Sequence, residues 1–162
     1  MKTIYFSASV SGVINIPPDF LKDLVAVMKE EGYRVLSEHI VHGMSEENFR
    51  LLSKNSGKHI PQREGYEFDI RTIDMQWVDQ ADYFVAIVDG PSHGVGMEIE
   101  RALLRPERGL DVVPILCLVQ RENFSKVTAM IKGVKAPNFA LSQYGDLADA
   151  SQIVLNFLRT HQ

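Results

Sequence analysis

The run from Tyr83 to Leu104 constrains this chain more than any other stretch. Six apolar residues, Tyr83-Phe84-Val85-Ala86-Ile87-Val88, precede Asp89-Gly90-Pro91-Ser92-His93-Gly94-Val95-Gly96-Met97-Glu98, and Ile99-Glu100-Arg101-Ala102-Leu103-Leu104 follows. A short, wholly apolar run bounded by turn residues reads as a strand buried on both faces. The segment after the glycines reads as a helix from about 95 to 105. Such a strand, turn and helix start form an anion cradle, because the first N–H groups of a helix lack backbone partners. Glu98 falls in the first turn of that helix.

The remaining chain repeats the alternation. Lys2-Thr3-Ile4-Tyr5-Phe6-Ser7-Ala8-Ser9 reads as a first strand entering a small-residue loop, Ser9-Val10-Ser11-Gly12. Pro17-Pro18 opens a helix whose apolar face is Phe20, Leu21, Leu24, Val25 and Met28, and Gly32 closes it. Residues 33–40 read as strand two. Residues 42–65 are polar, with a short helix at 45–53 and otherwise a loop of the kind that forms lids or binding segments. A helix at 66–80, strand three at 83–88, strand four at 112–119, a helix at 124–133, a short strand at 138–142 and a helix at 146–160 complete the order. Leu147, Ile153, Val154, Phe157 and Leu158 are the inward face of the last helix.

Apolar strands alternating with helices predict an α/β fold: a doubly wound five-stranded parallel sheet, flavodoxin-like or Rossmann-like. The 162 residues suit one domain, with no internal repeat or linker. Ligands of such sheets bind at the carboxyl ends of the strands, where the loops at 7–12, 39–65 and 89–97 fall. A net charge of −4 argues against nucleic acid or an anionic membrane as partner. No basic start with an apolar h-region opens the chain, and no apolar run approaches 18 residues. The one cysteine, Cys117, lies in the apolar run 112–119 and reads as a core residue in a reducing compartment, cytoplasmic or nuclear.

Two carboxylates break this pattern. Ile70, Ile73, Trp77, Val78 and Ala81 share a helix face, and position 74 belongs to it by spacing but is Asp74. Val95, Ile99, Ala102 and Leu103 share the next helix's face, and position 98 in it is Glu98. A carboxylate in an apolar stripe is costly unless paired, hydrogen-bonded or protonated. An acid in a first turn also suits the helix dipole, and a buried aspartate can simply pair with an Arg or His. Two such exceptions at one sheet edge, beside a glycine turn, form a constellation. Paired carboxylates cleave glycosidic bonds, one as nucleophile and one as proton donor. An apolar setting raises a carboxyl pKa, which suits the donor.

These residues carry a resemblance. Asp74-Met75-Gln76-Trp77-Val78-Asp79-Gln80-Ala81-Asp82, the apolar strand, and Pro91-Ser92-His93-Gly94-Val95-Gly96-Met97-Glu98 resemble the 2'-deoxynucleoside 5'-phosphate N-hydrolases of the Rcl type, relatives of the nucleoside 2-deoxyribosyltransferases. Ile4-Tyr5-Phe6-Ser7-Ala8-Ser9, Ser37-Glu38-His39, Ile115-Leu116-Cys117-Leu118 and Thr128-Ala129-Met130-Ile131-Lys132-Gly133 extend the similarity over about residues 3–135, with 42–65 divergent.

The resemblance implies hydrolysis of 2'-deoxynucleoside 5'-monophosphates to free base and 2-deoxyribose 5-phosphate, without a cofactor or metal. It implies Glu98 as nucleophile at C1', Asp74 as proton donor to the base, and Tyr5 as the residue that orients Glu98. Ser7, Ser9, Ser11, Gly12, Ser92, Gly94 and Gly96 would bind substrate, mainly its phosphate. His39 would stand at the pocket rim or at a solvated strand end. Thr128 would reach the phosphate across a homodimer interface, with Met130 nearby. Ser92 stands where the transferases carry an aspartate; a hydroxyl can donate to phosphate and a carboxylate would repel it. Ser11 replaces a family arginine and Ala8 a glycine, so the phosphate would be held instead by backbone and hydroxyl donors, or by Lys58, Arg63 or Arg71. The rival functions are base exchange by a deoxyribosyltransferase and a non-catalytic nucleotide-binding module.

Overall fold

A computed structural model describes residues 1–9, 16–37, 50, 53–54 and 66–162. Its strands are β1 (Thr3–Ala8), β2 (Arg34–Leu36), β3 (Tyr83–Ile87), β4 (Ile115–Gln120) and β5 (Phe139–Tyr144). Its helices are α1 (Phe20–Glu30), α2 (Tyr66–Gln80), α3 (His93–Leu103), α4 (Ala129–Lys132) and α5 (Leu147–Thr160), with 3-10 turns at Pro106–Arg108 and Arg121–Lys126. All strand pairs are parallel, in the order β2-β1-β3-β4-β5. That is the expected doubly wound sheet, and the order is the flavodoxin-like one.

Period-two alternation divides the core. Ile4 and Phe6 of β1 pack with Phe20, Leu24 and Met28 of α1 and Val154, Phe157 and Leu158 of α5. Tyr5 faces the other side, with Ile73 and Trp77 of α2 and Val95 and Ile99 of α3. β4 divides the same way, with Cys117 on the α2/α3 side and fully buried. Burial pushes the Cys117 thiol up to about 12, so it is an inert core group.

α2 spans the expected residues, and its stripe is buried at Ile73, Trp77, Val78 and Ala81. α1 ends at Gly32, whose φ of +89° is a left-handed conformation that a side chain would strain. Asp146 caps α5 by accepting from the Asp149 N–H at 2.8 Å.

Several boundaries differ from the sequence reading: the first helix starts at Phe20 rather than at Pro17-Pro18, which lie before its N-cap Asp19, strand two is Arg34–Leu36 rather than 33–40, and the last strand runs on to Tyr144. α3 starts at His93, because Ser92 caps it and sets its first turn two residues earlier. β4 starts at Ile115, not 112; Pro114 has no N–H for the ladder, and its carbonyl accepts from Phe84 instead. The helix expected at 124–133 is a 3-10 turn and a separate single turn of α4. Val127 between them is extended, and that conformation buries its side chain in the α2/α3 core. The end of strand two from 38 to 40 and nearly all of the 42–65 loop lie outside the described residues.

An ion-pair clamp holds α2 to α3. Both oxygens of Asp79 accept from Arg101, at 2.9 and 2.6 Å, and from Arg108, at the same two distances. Burial by itself would raise the Asp79 pKa, but the Arg108 and Arg101 guanidiniums hold it below the usual carboxylate value. Arg101 also donates to the Met75 carbonyl at 3.2 Å, and Arg105 donates to the Ala81 carbonyl at 2.8 Å, closing the α2 C-terminus. The two helices that carry Asp74 and Glu98 are thus joined by side chains three residues beyond Glu98 and five beyond Asp74.

Candidate active site

The alternation that buries Tyr5 toward α2 and α3 sends Ser7 the same way, one pleat nearer the carboxyl edge of β1. Ser7 is buried, and its hydroxyl donates to Glu98 Oε2. Glu98 sits on the buried face of α3 at 8% exposure, and Asp74 on that of α2 at 6%. The Tyr5 hydroxyl is fully buried near both. Burial, then the Asp74 charge, then Glu98 push its pKa well above the ordinary value, so Tyr5 stays protonated, and its hydroxyl makes no hydrogen bond among the described residues. Burial raises the Glu98 pKa, and the Ser7 and Tyr5 hydroxyls draw it part of the way back. The result is a carboxylate of increased basicity that the Ser7 hydroxyl keeps ionisable.

The glycine turn divides its donors in a way the sequence does not show. Ser92 Oγ accepts from the Val95 N–H at 3.3 Å, and the Ser92 carbonyl accepts from the Gly96 N–H at 3.2 Å. The Gly96 amide is therefore spent inside the helix, and no atom lies within 4 Å of a Cβ built there. The N–H groups of His93 and Gly94 stay open at the helix start among the described residues. Ser92 accepts through its oxygen and keeps its O–H to donate. A Cβ at Gly94 would lie 3.9 Å from both Glu98 Oε1 and Ser92 Oγ, so any longer side chain would cover the carboxylate.

A groove of about 1200 Å³ runs from this turn to residues 126–134, lined by Ser9, Ser92, Gly94, Lys126 and Thr128 among others. Ser9, one of its lining residues, is buried, and Tyr5, Ser7, Asp74 and Glu98 do not line it. Thr128 is exposed, and Met130 and Met97 are 82% and 52% exposed beside it. The expected residues Ser11, Gly12 and His39 lie outside the described residues, as do Lys58 and Arg63; Arg71 is an exposed residue of α2.

Sequence reasoning assigned Ser7 to substrate and missed its bond to Glu98. The available signal was its spacing of two from Tyr5, which places both on one face. It also missed Asp89. This residue is 2% exposed and accepts from the Tyr144 hydroxyl at 2.6 Å, the Gln120 N–H at 2.7 Å and Asn123 Nδ2 at 3.0 Å. Asp89 ties the ends of β3, β4 and β5 together directly before the glycine turn.

Among the described residues no helix is long and apolar enough to cross a membrane. No family model matches the chain. It is 35% identical over 130 residues to a Thermofilum pendens protein provisionally named 2'-deoxynucleoside 5'-phosphate N-hydrolase 1, spanning 80% of this chain and 77% of that one. It is 32% identical over 143 residues to the 5-hydroxymethyl-dUMP N-hydrolase of Danio rerio, spanning 87% and 85%. Its fold is similar to that of the Clostridium botulinum CMP N-glycosidase BcmB, with a TM-score of 0.59, 16% identity and coverage of 96% and 99%.

Proposed function

The chain belongs to the 2'-deoxynucleoside 5'-phosphate N-hydrolase family, and on that premise we propose that it hydrolyses the N-glycosidic bond of 2'-deoxynucleoside 5'-monophosphates. The products are free base and 2-deoxyribose 5-phosphate. Glu98 attacks C1', forming an ester as the C1'–N bond breaks, and Asp74 protonates the departing base. Water then cleaves the ester, and the Asp74 carboxylate takes the proton from that water. The observation that supports this most is the placement of Glu98 and Asp74: both are buried, on different helices, and both load one buried tyrosine hydroxyl. Desolvation and a fixed hydroxyl donor, here Ser7, are what a nucleophilic carboxylate needs.

Product analysis over a panel of deoxy and ribo nucleosides and their 5'-monophosphates tests this reading. Free base should appear with equal 2-deoxyribose 5-phosphate. Efficient base exchange without net hydrolysis, when a second base is added, would replace hydrolysis by transfer. Asp74→Asn should lower kcat by about 10²- to 10⁴-fold, the usual worth of general acid catalysis. That loss should shrink on a substrate whose leaving group needs no proton; an equal loss on both removes the proton-donor role.

The reading includes a homodimer in which Thr128 reaches the partner's phosphate site. Thr128, Met97 and Met130 are all exposed and line the same groove, which supports it. Mixing Glu98→Gln protomers with Thr128→Ala protomers should restore activity, since each mixed dimer then has one intact site. No gain on mixing removes the trans contribution. A cytoplasmic or nuclear location fits the free Cys117; a fluorescent fusion found in an oxidising compartment would exclude it.

A further inference from the structure

A phosphate monoester brings a charge of about −1.5 to −2 near neutral pH. Glu100 lines the groove, and the buried Glu98, which does not, brings its Oε1 to 3.9 Å from where a Cβ on Gly94 in the groove wall would sit. A helix start offers only about half a positive charge. A dianion bound beside these carboxylates therefore needs a full cation. Among the described residues lining the groove, Lys126 is the one lysine or arginine.

Lys126 is held in place. Its ammonium donates to Asn123 Oδ1 at 2.8 Å. Asn123 is 1% exposed, and its Nδ2 donates to Asp89 Oδ1 at 3.0 Å and to Gln120 Oε1 at 3.1 Å. Both amide hydrogens are thus used on fixed acceptors, and Oδ1 has to face Lys126. Asp89 is fixed in turn by Tyr144 and the Gln120 N–H. No carboxylate among the described residues pairs with the ammonium. Lys126 is an exposed residue, and the buried Asn123 amide orients its ammonium and leaves two of its three N–H donors open.

Resting on the N-hydrolase reading, we propose that Lys126 is the cation that binds the 5'-phosphate, and so the residue that separates deoxynucleoside monophosphates from unphosphorylated nucleosides. Asn123 is its positioning residue. Lys126 then supplies the charge that Ser11 lacks, from a segment unrelated in sequence to the first loop.

The test uses Lys126→Gln and Lys126→Arg in the full chain. With a deoxynucleoside monophosphate, Lys126→Gln should raise KM about 10- to 100-fold, the value of one charge-assisted hydrogen bond, and leave kcat within about threefold. Lys126→Arg should recover most of that loss. Hydrolysis of the matching nucleoside should not change, so the preference for the monophosphate collapses. An unchanged KM ratio of monophosphate to nucleoside in Lys126→Gln overturns the proposal. Calorimetric titration with 2-deoxyribose 5-phosphate separates it from the parent reading. Weaker binding by Lys126→Gln than by wild type supports it even if no substrate is turned over. Equal binding by both, or no binding by wild type, overturns it. Base release that is unchanged in Glu98→Gln would remove the parent mechanism and leave this result standing.

Discussion

Glu98→Gln should abolish base release, with kcat for a deoxynucleoside monophosphate lower by about 10⁴-fold or more and substrate still bound. Removing a covalent nucleophile costs rates of this order, because what remains is only orientation and electrostatic help. The amide has the shape of the carboxylate but cannot form the ester. It should not harm the fold. Burial disfavours the ionised form of Glu98, so a neutral isostere at the same position should leave the thermal midpoint equal or higher. Activity lost together with the fold would instead mark Glu98 as structural. Residual kcat within tenfold of wild type, or a sugar ester trapped on the glutamine variant, would remove the nucleophile role.

The same carboxylate sets a pH dependence. Glu98 must be ionised to attack, and burial raises its pKa. The acid limb of kcat/KM should therefore lie above the ordinary carboxylate range. The Ser7 hydroxyl favours the ionised form, so Ser7→Ala should move that limb to still higher pH. A shift to lower pH, or none, would mean that Ser7 does not act on Glu98 in the working enzyme.

Asp89→Ala should be the most destabilising single change in the described core. It strands three donors at once: the Tyr144 hydroxyl, the Gln120 N–H and Asn123 Nδ2. A buried donor left without an acceptor costs about 1–3 kcal/mol. Breaking a buried charged network by removing one partner costs about 3–5 kcal/mol, against a total stability of about 5–15 kcal/mol for a domain. Asp89→Asn keeps one acceptor oxygen and should lose less. Tyr144→Phe, which removes a single bond, should cost about 1 kcal/mol. Urea unfolding measures all three, and a loss below about 1 kcal/mol for Asp89→Ala would show that the network is not a stabilising one. Asp89→Ala also unseats Asn123, so phosphate binding should weaken in the folded fraction.

Much of the fold was legible because its causes are local. The stripe of α2 repeats at helical spacing, and β3 is apolar at every position because both its faces are covered. Where the sequence reading slipped, a contact from elsewhere had overruled local preference. Val127 leaves the helical region to enter the core, and the Ser92 cap moves the start of α3 back by two residues.

The candidate site divides along the same line. Asp74 and Glu98 stand out in sequence because a charge in an apolar stripe violates a short-range pattern, and Tyr5 stands out through the resemblance. The bonds that make these groups a site are long-range. Ser7 reaches Glu98 across 91 positions, Tyr144 reaches Asp89 across 55, and Asn123 reaches Asp89 across 34. By itself the sequence determined the order of strands and helices, the parallel covered sheet and the two misplaced carboxylates, since each follows from the spacing of neighbours along the chain. Only the tertiary structure decided which hydroxyl meets Glu98, which amides of the glycine turn stay open, and which lysine faces the groove. Those depend on strand order and register, which bring distant residues together after the chain has folded.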